Sequence, residues 1–277
     1  MKLLLLLGAF VLVRTTPVPK TCTGVRITNS PVLYEREVLK TGVDRPYMLV
    51  VDYSSNILYF SYSTEGEKDS FQAASIDLKD KEFKNITCVP NGFAQAVDST
   101  NNEVYIGGDG IYKYDPKKDT AELYAAKDAN IWLLYFHDDL YYAEYPSQFL
   151  YVVHNSGAVR AKDLEDTKVD MFVIDNDNDI FYSNDTGIYC QKKGTKDAQL
   201  YKEFDDASAR GLTTDKNGKV HACMVDGIYV VNKDAKRFDK IVEIDDAFGV
   251  AFDRNNNIVY SDAIGVYMLK PNENLTC

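Results

Sequence analysis

Tryptophan occurs once in 277 residues, and histidine only three times, as His137, His154 and His221. None of the five cysteines (Cys22, Cys88, Cys190, Cys223 and Cys277) stands in a CxxC pair. So few imidazoles, and no paired thiols, argue against a zinc site. Positive charge is short as well: 31 Lys and Arg face 42 Asp and Glu, a net charge of −11. That balance argues against nucleic acid and anionic membrane as partners. It suits a protein kept dispersed in a fluid. There is no GxSxG nucleophile elbow. No Pro/Gly/Ser-rich linker divides the chain, so one domain is expected over residues 17–277.

The one long apolar run is N-terminal. MKLLLLLGAFVLVRTT has a single Lys, then apolar residues from Leu3 to Val13. Such a run is too short for a bilayer span of about 20 residues. It predicts a secretory signal peptide over residues 1–16, cut between about residues 13 and 20. The rest would then be soluble and extracellular, where disulfides are the default state of cysteine. Five cysteines leave at least one thiol free or paired between chains. Three sequons, at Asn85, Asn184 and Asn274, are candidates for glycosylation.

What the chain has in abundance is aromatic and repeated. It carries 20 Tyr and 13 Phe, a bias that favours strands. FVIDNDNDIFYSNDTGIYCQ (172–191) and FDRNNNIVYSDAIGVYML (252–269) share an apolar run ending in Asp, a polar turn, a strand, a Gly and an aromatic strand. Related copies begin near residues 48, 93, 171, 211 and 249, with a degenerate one at 132–153 where Phe136 replaces Asp. Counting that copy, Asp52, Asp98, Asp175, Asp215 and Asp253 recur every 38 to 46 residues. A period near 40 with several short strands per unit is the signature of propeller blades. The repeats therefore predict an all-β fold, a six-bladed propeller of four-stranded blades. The last repeat lacks a fourth strand, and VLYEREVLK (32–40) is the candidate to supply it. Such closure would bring Cys22 and Cys277 near enough to bridge. Cys190 and Cys223, in neighbouring repeats, form a second candidate pair, with Cys88 left over.

A propeller fold does not state a function. Calcium-dependent lactonases place Glu, Asn and Asp where the innermost strands enter the channel, because hard oxygen ligands hold the metal. Here those positions carry one carboxylate and two Arg, a poor calcium cage, so neither metal nor cofactor is expected. The recurring Asp residues are read as turn caps. DNDND (175–179) resembles the start of a calcium loop but lacks its Gly and distant Glu. His137 is expected at the surface and His221 in a structural role. What gathers at the predicted channel mouth is Arg45, Tyr47, Asn91, Phe93, Asn130, Trp132, Phe172, Arg210 and Phe248. Flat apolar surfaces with Arg anchors suit a planar aromatic ligand carrying carboxylates. The same aromatics could equally plug the channel.

The leader, the chain length, the D-x-x-x-x-[ILV]-[VFY]-Y repeats and the GIY hairpins resemble insect ommochrome-binding proteins. The blades also resemble YWTD repeats (NILYFSY, 56–62) and NHL-type repeats. The first resemblance implies a secreted haemolymph protein of moths and butterflies, a monomer that binds a phenoxazinone pigment such as xanthommatin without catalysis. An extracellular protein-binding propeller and a lactonase-like hydrolase are the alternatives.

Overall fold

A computed structural model describes residues 24–64, 70–154, 157–205 and 208–275. The leader, Cys22 and Cys277 lie outside the described residues, and the proposed bridge between the two cysteines with them. Apart from one 3-10 turn at Lys162–Leu164, every regular element described is a β-strand.

Each repeat folds for local reasons. At the end of five of the six inner strands an Asp carboxylate accepts backbone N–H groups from the turn that follows; the repeat with Phe136 has none at that position. Asp253 takes Asn255 at 2.8 Å and Asn257 at 2.7 Å, and Asp215 takes Asn217 and Lys219 at 2.8 and 3.0 Å. Asp52, Asp98 and Asp175 do the same. These aspartates are nearly buried, so the N–H groups they accept would otherwise lack partners. The next hairpin needs glycine. Gly227 has φ +141°, and a Cβ there would fall 2.2 Å from the Val242 carbonyl oxygen. Gly110 holds the same place in its repeat, with φ +130°.

The strands form five hydrogen-bonded sheets, all of their pairings antiparallel. The first (Asp44–Asp52 to Phe83–Ile86), the third (Met171–Ile174 to Ala198–Glu203) and the fourth (Gly211–Thr214 to Arg237–Glu243) each have four strands. The second runs from Ala94–Asp98 to Gly157–Arg160 and has six; the fifth has five. The expectation of six separate four-stranded blades is thus corrected. The reason lies in Thr120–His137, which pairs backward through residues 120–130 and forward through residues 131–137. One chain segment therefore joins two repeats into a single sheet. Glu103–Asp115 also contains a fold-back. A continuous strand would hold its ends about 33 Å apart over ten residues, yet Lys113 is ion-paired to Glu103.

The N-terminal segment closes the last repeat, as its sequence suggests. Leu33–Thr41 pairs along Gly265–Asn272, from Leu33 opposite Asn272 to Thr41 opposite Gly265. Inner strands adjoin in sequence order, and Gly249–Phe252 packs beside Asp44–Asp52 to complete the ring. Hydrophobic layers fill the gaps between neighbouring sheets. Leu49, Phe60, Ala251 and Met268 join the first and fifth, and Val173, Phe181, Ala222 and Phe238 join the third and fourth.

The layers also rule out one cysteine pairing. Cys190 is packed between the third and fourth sheets, and Cys223 between the fourth and fifth. The fourth sheet separates them, and both are free thiols, as is Cys88. A Cys190–Cys223 disulfide is therefore not formed.

Candidate functional site

The ring has two ends, distinguished by what the inner strands carry there. At one end sit the Asp turns, cross-linked between repeats. Ser54 donates to Asn102 at 2.6 Å, and the Lys216 N–H to Asn256 at 3.0 Å. The DNDND segment lies at this end. Asp175, Asp177 and Asp179 converge within 4.8 Å, the geometry of a cation cage, and the cation among them is Lys233. Its ammonium lies 2.5, 2.8 and 2.8 Å from the three carboxylates. Burial disfavours the charged ammonium, but the three acids outweigh it and raise the Lys233 pKa above its ordinary value.

At the other end, one residue from each repeat occupies an equivalent position. Phe93, Asp170, Arg210 and Phe248 each donate their backbone N–H to the next strand of their own repeat. The acceptors are the Gly107, Ser183, Cys223 and Ser261 carbonyls, all at 2.8 Å. Tyr47 faces Ser61, and Ile131 faces Glu144, at the matching places. The mouth ring is therefore Tyr47, Phe93, Ile131, Asp170, Arg210 and Phe248.

One side of this ring is an aromatic plate. Tyr47 lies 5.5 Å from Phe248 and 5.8 Å from Phe93. Phe93 stacks on Trp132, with centroids 4.9 Å apart and planes at 27°, and Trp132 reaches Tyr145 at 5.8 Å. Phe71 fills the rim, 4.4 Å from Phe93. The other side is charged. The Arg210 guanidinium lies over the Phe248 ring at 4.1 Å, and its Nη1 donates to Asp246 at 2.7 Å and to the Ala247 carbonyl at 3.1 Å. Asp170 accepts a hydrogen bond from Gln148. Burial pushes the Asp170 carboxyl above the usual range; the Gln148 bond opposes this, and nearby Asp185 adds to it.

The sequence-predicted residues are placed unevenly. Tyr47, Phe93, Arg210 and Phe248 are in the ring, and Trp132 is beside it. Arg45 stands off it: its backbone is left-handed at φ 46°, its N–H bonds the Ala263 carbonyl, and its side chain holds Asp44. Asn91 receives the Phe71 N–H on its side-chain oxygen at 3.1 Å, and exposed Asn130 receives the Tyr145 N–H on its carbonyl. Phe172 belongs to the core. It is 2% exposed and packs against Tyr141 and Tyr135, two residues beyond the ring position that Asp170 holds. Asp170 is the one carboxylate counted at the channel entry from sequence but left out of the ligand set, and Phe71 and Tyr145 were missed altogether. Counting five residues back from each turn Asp would have put Asp170, not Phe172, in the ring; nothing in the repeat marks Phe71 or Tyr145.

Beneath the ring runs a cavity of about 200 Å³, lined by inner-strand residues including Leu49, Gln95, Tyr135, Phe172, Leu212 and Val250. It is smaller than the ~300 Å³ lower range of small-molecule pockets. A flank groove of about 690 Å³ lies between the first two repeats. Its Lys113 and Lys118 are already ion-paired, to Glu103 and Asp115.

No family model matches the chain. Among solved structures, a gluconolactonase from Xanthomonas campestris superposes with a TM-score of 0.72 at 16% identity, covering 92% of this chain and 97% of that one. A streptogramin B lyase gives 0.59 at 12% identity, over 86% and 97%. At such identities these likenesses show the propeller fold alone. A curated relative from Manduca sexta, an ommochrome-binding protein, is 30% identical over 280 residues, spanning 99% of both chains. With that identity across its whole length, the chain belongs to the ommochrome-binding protein family.

Proposed function

We propose that this protein is a secreted, monomeric, non-catalytic carrier that holds a planar, acidic, aromatic pigment of the ommochrome type across the channel mouth. The observation that carries this reading is the ring itself, an aromatic plate of Tyr47, Phe93, Trp132 and Phe248 bordered by the Arg210 guanidinium. The name of the Manduca relative supports the ligand class. A fused-ring pigment gains by stacking on the half-buried Tyr47 and Trp132 rings, which the buried Phe93 and Phe248 back, and its carboxylate by pairing with Arg210. The cavity below is too small to swallow the ligand, so the pigment lies over the mouth. The leader predicted at residues 1–16 supports delivery outside the cell.

The test uses the chain's single tryptophan. Trp132 sits at the proposed site, so xanthommatin binding should quench its fluorescence. Tyr47→Ala should weaken binding at least tenfold, and Arg210→Gln by a similar factor. Quenching that survives both substitutions unchanged would place the pigment elsewhere. The competing reading, a calcium-dependent lactone hydrolase, calls for calcium-stimulated hydrolysis of a sugar lactone. The carrier reading expects no such turnover with or without calcium.

A further inference from the structure

The ring is divided by charge in a way that a merely acidic ligand would not use. Four of its residues, or their immediate neighbours, form the aromatic plate. The two remaining polar positions, contributed by consecutive repeats, are Asp170 and Arg210. Their equivalence is structural: each donates the same backbone hydrogen bond, at 2.8 Å, to the next strand of its own repeat. Their inner strands, Met171–Ile174 and Gly211–Thr214, lie side by side. An acid and a base thus stand next to each other at the same level of the mouth. Among the described residues no cation forms an ion pair with Asp170, whose side chain accepts from the Gln148 amide. Arg210 commits only Nη1, leaving Nη2 and Nε without a protein partner among the described residues.

We infer that the mouth recognises an α-amino acid group carried on the aromatic ligand, with Asp170 taking the ammonium and Arg210 the carboxylate. This rests on the pigment-carrier reading and narrows it: the ligand is a zwitterionic aromatic amino acid derivative, not simply an acidic dye. The chemistry follows from the donor set. A carboxylate without a cationic partner in a half-buried setting gains from an incoming ammonium. A guanidinium with a free edge, fixed on Phe248 and by Asp246, takes a carboxylate in bidentate fashion. The aromatic plate then fixes the ring system at the distance set by the amino acid side chain.

The experiment compares three probes by Trp132 quenching, on wild type and on Asp170→Asn, which keeps an acceptor for Gln148. The probes are xanthommatin, which carries a free α-amino acid group, its N-acetyl derivative, and 2-aminophenoxazin-3-one, a planar ring without that group. Wild type should bind xanthommatin about tenfold more tightly than the N-acetyl form, as expected for one lost charge-assisted pair. Asp170→Asn should erase that difference while binding the N-acetyl form as wild type does. Equal affinity of wild type for all three probes would overturn the amino acid assignment and leave the pigment reading standing. Quenching by none of the three would overturn both. Thermal melts of Asp170→Asn separate an effect on the site from one on the fold.

Discussion

Asp253 is 4% exposed and accepts two backbone N–H groups and the Asn257 side-chain amide. Removing its carboxylate leaves those donors without partners, which costs about 1–3 kcal/mol. Asp253→Ala should therefore lower the unfolding free energy from urea denaturation by that amount, and Asp253→Asn by less. The turn role of the recurring Asp was legible in the sequence, because Asp followed by Asn, Gly and Ser has one common local use. His221 makes a second residue-level case. It is 5% exposed, its Nδ1 meets the Lys219 carbonyl, and its ring lies 4.4 Å from Phe252. Burial disfavours its charged form, and its pKa is lowered to about 4. The sign is fixed by linkage: the unfolded chain binds the proton first, so stability is full above about pH 6.5 and declines as pH falls toward 4. The total approaches 3 kcal/mol at most. His221→Phe should flatten the stability–pH curve over that window; an unchanged slope would assign the acid sensitivity to other groups.

Between residues and the whole molecule, the elements are tied by contacts that no repeat pattern announces. The Tyr135 hydroxyl accepts the Ile174 N–H at 3.1 Å and donates to the Ile174 carbonyl at 2.9 Å, joining the second sheet to the third. Tyr135→Phe removes both bonds with almost no change in volume and should cost about 1–2 kcal/mol by denaturation. Lys233 in its three-aspartate cage is likewise an inter-sheet tie. Lys233→Met should destabilise the protein at pH 7. Lys233 holds the Asp177 pKa below its ordinary value. The part of the loss due to Asp177 is present above about pH 4 and disappears as pH falls below it. A penalty independent of pH would contradict the ion-pair account. Strand boundaries were legible where apolar runs end in Asp and Gly. The merger of two repeats through Thr120–His137 was not, because the degenerate copy lacks the Asp that would mark its turn. Phe172 was misplaced for a related reason: alternation tells which residues face inward, not at which level of the channel they sit.

For the whole molecule, closure of the ring by Leu33–Thr41 is the feature on which the others depend. That strand covers the edge of Gly265–Asn272 and lets the last hydrophobic layer pack against Asp44–Asp52. A chain beginning at residue 42 should lose cooperative unfolding and aggregate through its open edge. The site emerges only at this scale, since its members are spread from Tyr47 to Phe248 and meet because the ring closes. Sequence reasoning picked out the aromatic half of the mouth, whose residues are conspicuous, and left Asp170 out of the ligand set, because its counterpart Arg210 stands forty residues on, in the next repeat. The central claim is that this mouth holds an ommochrome-type pigment, and a visible absorption titration of the purified protein with xanthommatin tests it most directly. The account predicts a shifted band that saturates at about one pigment per chain and is weakened by Arg210→Gln. A spectrum that remains the sum of free pigment and protein at micromolar concentrations would contradict it.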